Sequence, residues 1–246
     1  ESLEAHTTLG IRGFKTTRLC DFEPTDAFVA GLESALASGA DDARILEISK
    51  DYVREVVSHE VGHTLGLRHN FAGSLASNVT QDQRDQAFDA YVRRGEEPRV
   101  DAVVPSSTTM DYLIFEDSVL TGSQMKRPDF AMAYDKRAIA WGYADAADHR
   151  ADGPLFCTDG QAEGRAGLGT FYDCMRFDSG SSSLGYQRYV VDSNLKRLPN
   201  QIFETYLSAK TNRFADERQT FDQVQLPVTG WVTRIKKALD IQSQWM

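Results

Sequence analysis

One run of this sequence brings together side chains whose types and spacing can do chemistry: His59-Glu60-Val61-Gly62-His63-Thr64-Leu65-Gly66-Leu67-Arg68-His69. Two histidines four apart on a helix lie one turn apart on the same face, so both imidazoles can reach one metal ion. Gly66 permits a sharp turn past the helix end, which lets His69 approach the same ion from outside the helix. Three neutral imidazoles form a zinc donor set. They leave the fourth tetrahedral position to water, as a catalytic site requires and a closed structural site does not. Glu60, next to the first histidine, can reach that water without being a ligand and act as general base. The expectation is one catalytic Zn2+ on His59, His63 and His69, with Glu60 as the base. A helix with two ordinary histidines, or a zinc site that has lost catalysis, are the competing readings, and the intact Glu60 argues against the second.

The element that must hold these residues is a long helix from about Asp42 to Leu65, stopped by Gly66. Val53, Val57, Val61 and Leu65 repeat every four positions and form one stripe. At about 100° per residue, His59 and His63 project roughly opposite that stripe. The stripe is therefore expected in the core and the histidines in a cleft. Upstream, the pattern predicts a strand near Ile11–Leu19 and a helix over Asp26–Ser38. Downstream it predicts helices over Gln81–Arg94 and Ala131–Trp141, the latter led by Tyr134-Asp135. Met110–Phe115 reads as an apolar turn or strand, residues 150–186 as a loop-rich excursion, and Asn200–Ala215 and Val228–Gln244 as closing helices.

The bulk numbers exclude some functions. The chain has 246 residues, 41% of them hydrophobic, with 27 Lys and Arg against 36 Asp and Glu, a net charge of −9. That balance is adverse to a phosphate backbone, so no nucleic-acid partner is expected. No stretch approaches the roughly 20 apolar residues of a membrane span. The chain starts at Glu1, without an initiator Met or a recognisable signal peptide. Cys157 and Cys174 enclose a Gly-rich stretch and suit a disulfide in a secreted protein, the alternative being two thiols; Cys20 is left over either way. His6 and His149 read as surface residues. Asp159, Asp173 and Asp178 offer hard oxygens of the kind Ca2+ takes, but without EF-hand spacing a solvated loop is the better reading. Arg165, in the Gly-rich loop, reads as exposed to nicking.

The long histidine motif resembles that of the metzincin clan of zinc peptidases, in which a turn with a Met follows downstream, beneath the zinc. Thr108-Thr109-Met110-Asp111-Tyr112 looks like that Met-turn. Tyr112 stands two after the Met, as in the astacin-like and serralysin-like branches. The resemblance implies that its hydroxyl ligates zinc or hydrogen-bonds to the transition state, so Tyr112 joins Glu60 as a catalytic candidate. The string His63 to Ser74, with Phe156-Cys157-Thr158-Asp159 and Arg176-Phe177-Asp178-Ser179-Gly180, is similar to the EcxA-like group of bacterial metzincins. That group implies a secreted or periplasmic endopeptidase acting on protein or peptide substrates. It also includes the protease subunit of an AB5-type toxin, which stands as an alternative beside a non-catalytic zinc-binding domain. Asn70 departs from the residue that marks the better-known branches, so their specificity does not transfer.

The expected fold class is α+β and mainly helical, a metzincin-like zincin domain lacking most of the N-terminal sheet. Its expected parts are a remnant of an N-terminal subdomain over 1–41, a zinc-binding core over 42–150 and a loop-rich, helical extension over 151–246. The short stretch before His59 supplies about one strand and one helix, so the rest of that subdomain is expected in a missing N-terminal part of a longer chain.

Overall fold

The computed structural model describes residues 39–100, 102–144, 155–162 and 173–211, with positions 232, 235, 236 and 239. These residues form α1 (Asp42–Thr64), α2 (Gln81–Arg94), α3 (Phe115–Gln124), α4 (Ala133–Tyr143), the short α5 (Asp159–Ala162) and α6 (Ser183–Thr211). The architecture is mainly helical, and no strand occurs among the described residues. The expected strand near Ile11–Leu19, the helix over Asp26–Ser38, His6, Cys20, His149 and Arg165 lie outside the described residues, as does most of Val228–Gln244.

Helix α1 starts where Asp41 caps it, accepting a hydrogen bond from the Arg44 N–H at 2.8 Å. Helix α2 starts with a reciprocal capping box between Thr80 and Gln83. Both pack on α3. Their shared core joins Ile48 and Tyr52 of α1, Tyr91 and Val92 of α2, and Phe115, Val119 and Leu120 of α3. The rings of Tyr52 and Phe115 stack at 5.4 Å. Helix α3 was not expected from the sequence. Nine of its ten residues are buried, Asp117, Ser118, Thr121, Ser123 and Gln124 among them, so burial along it does not follow hydrophobicity. Its Asp, Ser, Thr and Gly residues also depress helix propensity.

The expected orientation of α1 is overturned. Val53, Val57, Val61 and Leu65 stand between 44% and 53% exposed. The buried face carries Ile48, Asp51, Tyr52, Glu55, His59 and Gly62, which recur three or four apart. This face is largely polar, so a hydrophobicity pattern points to the wrong side. Its charges are tolerated because they are partnered. Buried Asp51 accepts hydrogen bonds from Arg54 and Tyr91, with Lys126 Nζ at 3.3 Å. The closing part also differs from expectation. In place of a loop to residue 186 and a helix from Asn200, α6 runs unbroken from Ser183 and continues through Pro199. Its first buried residues are Ser183, Tyr186 and Gln187, again a mostly polar face.

Glu55 is fully enclosed. Burial pushes its pKa up to about 8, against the hydrogen bond from Ser118 and with the charge of Asp135 acting in the same direction as burial. A carboxyl whose folded pKa lies above its unfolded value, near about 4.3, holds its proton more tightly when folded. Its contribution to stability is complete below the unfolded value and is lost as pH rises through about 8. Urea unfolding should therefore show stability falling between about pH 5 and about pH 9. Glu55→Gln should flatten the decline by up to about 1.4 kcal/mol per pH unit, one proton's worth. An unchanged slope in the variant would assign the decline to other groups.

Candidate metal centre

The first two histidines lie on the last turns of α1, and the third is delivered by the way that helix ends. Gly66 takes a left-handed conformation, φ 84°, which a residue with a side chain adopts only under strain. The Gly66 N–H donates to the His63 carbonyl at 3.0 Å, and the Leu67 N–H donates to the Gly62 carbonyl at 3.0 Å. This pair of bonds is a Schellman cap. It reverses the chain within three residues and returns His69 to the face of the helix that carries His59 and His63.

The three imidazoles are held in one tautomer. His59 Nδ1–H donates to the Thr109 carbonyl at 2.6 Å, and His63 Nδ1–H donates to the Leu67 carbonyl at 3.0 Å. His69 Nδ1–H donates to the Asp159 carboxylate, 2.9 Å from Oδ1 and 3.1 Å from Oδ2. Each acceptor is an oxygen with no proton to give, so each Nδ1 must be the donor and each Nε2 must carry the lone pair. A ligand atom of each histidine lies within 4.8 Å of those of the other two. The Nε2 atoms of His63 and His69 face each other at 3.1 Å, a juxtaposition of lone pairs that a shared cation turns from repulsive to favourable. Burial pushes the His59 pKa down to about 4, against its bond to Thr109. Burial also lowers His69, against its bond to Asp159. Both are thereby kept neutral near pH 7, the form that binds metal. The donor set fits one ion such as zinc. Among the described residues no other group of His, Cys, Asp or Glu does so.

The turn around Met110 sits directly beneath this set. Asp135 of α4 accepts from the Thr109 N–H at 2.9 Å and from the Thr109 hydroxyl at 3.0 Å. The Thr108 hydroxyl donates to the same carboxylate. Asp135 therefore anchors Thr109, the residue whose carbonyl orients His59. From the other side, Asp111 accepts from the N–H groups of Ser74 and Tyr112, at 3.0 and 2.8 Å. Met110 is fully buried, and its sulfur occupies the space that a Cβ on Gly62 would need. The expected pairing of the Met-turn with the histidine helix thus has a steric basis, the absent side chain of Gly62.

Tyr112 is buried, and its hydroxyl lies 3.3 Å from His69 Nε2. Glu60 is exposed and lines an open cleft of about 610 Å³, together with His63, His69 and Asp159. All five residues singled out from the sequence are thus in one place. Three contributors were not. In the sequence Asp135 reads only as the head of a helix. Asp159 reads in the sequence, with Asp173 and Asp178, as an oxygen donor of the kind Ca2+ takes, yet it binds His69 and, at 3.0 Å, the guanidinium of Arg176. Asn70 is buried and docks the chain after residue 154: its amide accepts from the Cys157 N–H at 2.9 Å and donates to the Leu155 carbonyl at 3.1 Å. Cys157 and Cys174 are bridged, with Cα atoms 6.0 Å apart, and pack with Phe71, Ala72 and Tyr112.

Residues 42–154 match the family model described as Met-zincin, so this segment is similar to that family. No curated protein and no solved structure matches the chain. The family and the three-histidine group together indicate a zinc metallopeptidase-like function.

The contact between Gly62 and Met110 makes a prediction. Gly62→Ala should destabilise the fold by about 1–3 kcal/mol through overpacking, read from urea midpoints. Adding Met110→Ala should recover part of that loss, a coupling expected only of residues in contact. Strictly additive losses would mean that the helix and the turn are not packed in this way.

Proposed function

We propose that the chain is a zinc-dependent endopeptidase with His59, His63 and His69 as ligands and Glu60 as general base. The convergence of three Nε2 lone pairs beside Glu60, at the edge of an open cleft, carries this reading. A zinc ion held by His59, His63 and His69 would supply Lewis acidity there, enough to lower the pKa of a water towards about 7 and to polarise a scissile carbonyl. Glu60 sits beside the ligands without being one. It takes the proton of the attacking water and passes it to the departing amine. Tyr112, with its hydroxyl at the ligand cluster, donates a hydrogen bond to the oxygen that gains charge in the transition state. On this reading the substrate is a protein or peptide, and the cleft beside Glu60 is where it would lie.

On this reading the protein works in an oxidising compartment, secreted or periplasmic. The Cys157–Cys174 bridge supports that location, because such bonds persist outside the reducing cytosol. The motifs around His63–Ser74 and Arg176–Gly180 favour the EcxA-like group within the metzincins.

Peptidase assays on casein with parallel metal analysis test the roles. Glu60→Gln should abolish turnover yet retain zinc, whereas His63→Ala should lose the metal. Tyr112→Phe should cost about 10- to 1000-fold in kcat, the usual worth of one transition-state donor. Wild-type turnover in Glu60→Gln would remove Glu60 as the base, and an unaffected Tyr112→Phe would leave Tyr112 as packing.

A further inference from the structure

The three histidines are not held alike. His59 and His63 donate their Nδ1–H to neutral backbone carbonyls, of Thr109 and Leu67. His69 donates to a carboxylate 90 positions away, supplied by a residue beyond the matched segment 42–154. That carboxylate is itself gripped. Arg176 Nη2 donates to Asp159 Oδ1 at 3.0 Å, and the guanidinium lies 4.9 Å over the ring of Phe71 and 5.6 Å over that of Tyr112. Asp159 follows Cys157 by two residues and Arg176 follows Cys174 by two, so the disulfide joins the two segments that carry the pair. The Cys157 carbonyl accepts the Phe71 N–H at 2.7 Å, which anchors the clamp two residues from His69.

We propose that Asp159, clamped by Arg176 and the Cys157–Cys174 bridge, is the positioning residue of the metal centre. It fixes His69 as the Nδ1–H tautomer and makes its Nε2 the most electron-rich of the three donors. The inference rests on the zinc-site reading above. A carboxylate acceptor leaves more charge on the imidazole than a carbonyl does, and it resists rotation of the ring because both of its oxygens face Nδ1. Arg176 prevents the carboxylate from turning away into the cleft.

The metal-free protein offers a first test. Imidazole 15N–1H correlation spectra should show His69 as the Nδ1–H tautomer in the wild type; the Nε2–H tautomer there would overturn the proposal whatever the variants do. Chelator competition with Zn2+ should then give Asp159→Asn an affinity about 10- to 100-fold lower. The visible spectrum of the Co2+-loaded protein should shift in the same variant, and Asp159→Glu should recover part of both effects. Arg176→Met and Cys157→Ala/Cys174→Ala should weaken zinc in the same direction, because each frees the carboxylate without removing it. If Asp159→Asn is folded and matches the wild type in Zn2+ affinity and Co2+ spectrum, Asp159 does not position the centre. A wild type that takes up neither ion would overturn the zinc-site reading and this inference together, whereas loss confined to the variants upholds both.

Discussion

A neutral imidazole has one N–H and one lone pair, and the site depends on fixing which nitrogen carries which. Three rings can share an ion only if each turns its lone pair inward, and each does so because an oxygen acceptor holds its other nitrogen. The acceptors come from three different places in the fold. Leu67 belongs to the cap that ends α1, so the turn that returns His69 also orients His63. Thr109 belongs to the Met110 turn, which Asp135 of α4 and the buried Asp111 hold from two sides. Asp159 comes from beyond the family segment. Helix packing, turn geometry and the disulfide thus act on the same few nitrogen atoms.

This requirement explains the unusual inner face of α1. Its first half is apolar where Ile48 and Tyr52 meet Phe115, Val119 and Leu120. Its second half buries Glu55 and His59, and Asp111 lies below them. Burial drives the carboxyls of Glu55 and Asp111 up to about 8, which favours their neutral forms. A cavity of about 20 Å³ between Glu55, His59, Asp111 and Tyr112 has room for about one water among these groups. Apolar burial near the start of the helix offsets the cost of polar burial at its end, and α3, enclosed on nearly every side, joins the two halves.

How much of this was legible depended on whether the signal was local. Ligand spacing on a helix is local, so His59, His63 and Glu60 could be read directly, and Gly66 announced the turn to His69. Hydrophobic periodicity failed wherever polar residues face inward. It placed Val53, Val57, Val61 and Leu65 in the core when they stand half exposed, and it gave no hint of α3. It also missed the start of α6, whose first buried residues are Ser183, Tyr186 and Gln187. The partnership of His69 with Asp159 has no local signal at all. Asp159 looked like one of several acids in a Gly-rich loop, and only the folded chain brings its carboxylate to Nδ1.

The reach of the site past residue 154 follows from hydrogen-bond accounting. Asn70 is fully buried, and its side-chain amide bonds the backbone of Leu155 and Cys157. The Tyr112 carbonyl accepts the Phe177 N–H at 2.9 Å, and the two rings lie 5.3 Å apart. A chain cut at residue 154 would leave the Asn70 amide and the His69 Nδ1–H without these acceptors, and would expose Phe71 and Tyr112. Buried polar groups stripped of their partners cost about 1–3 kcal/mol each. The shortest stretch that keeps an acceptor for every histidine, both cysteines of the bridge and the Arg176 that grips Asp159 therefore runs from α1 through Arg176. The segment with the family's pattern is shorter than the segment that physically holds the three rings.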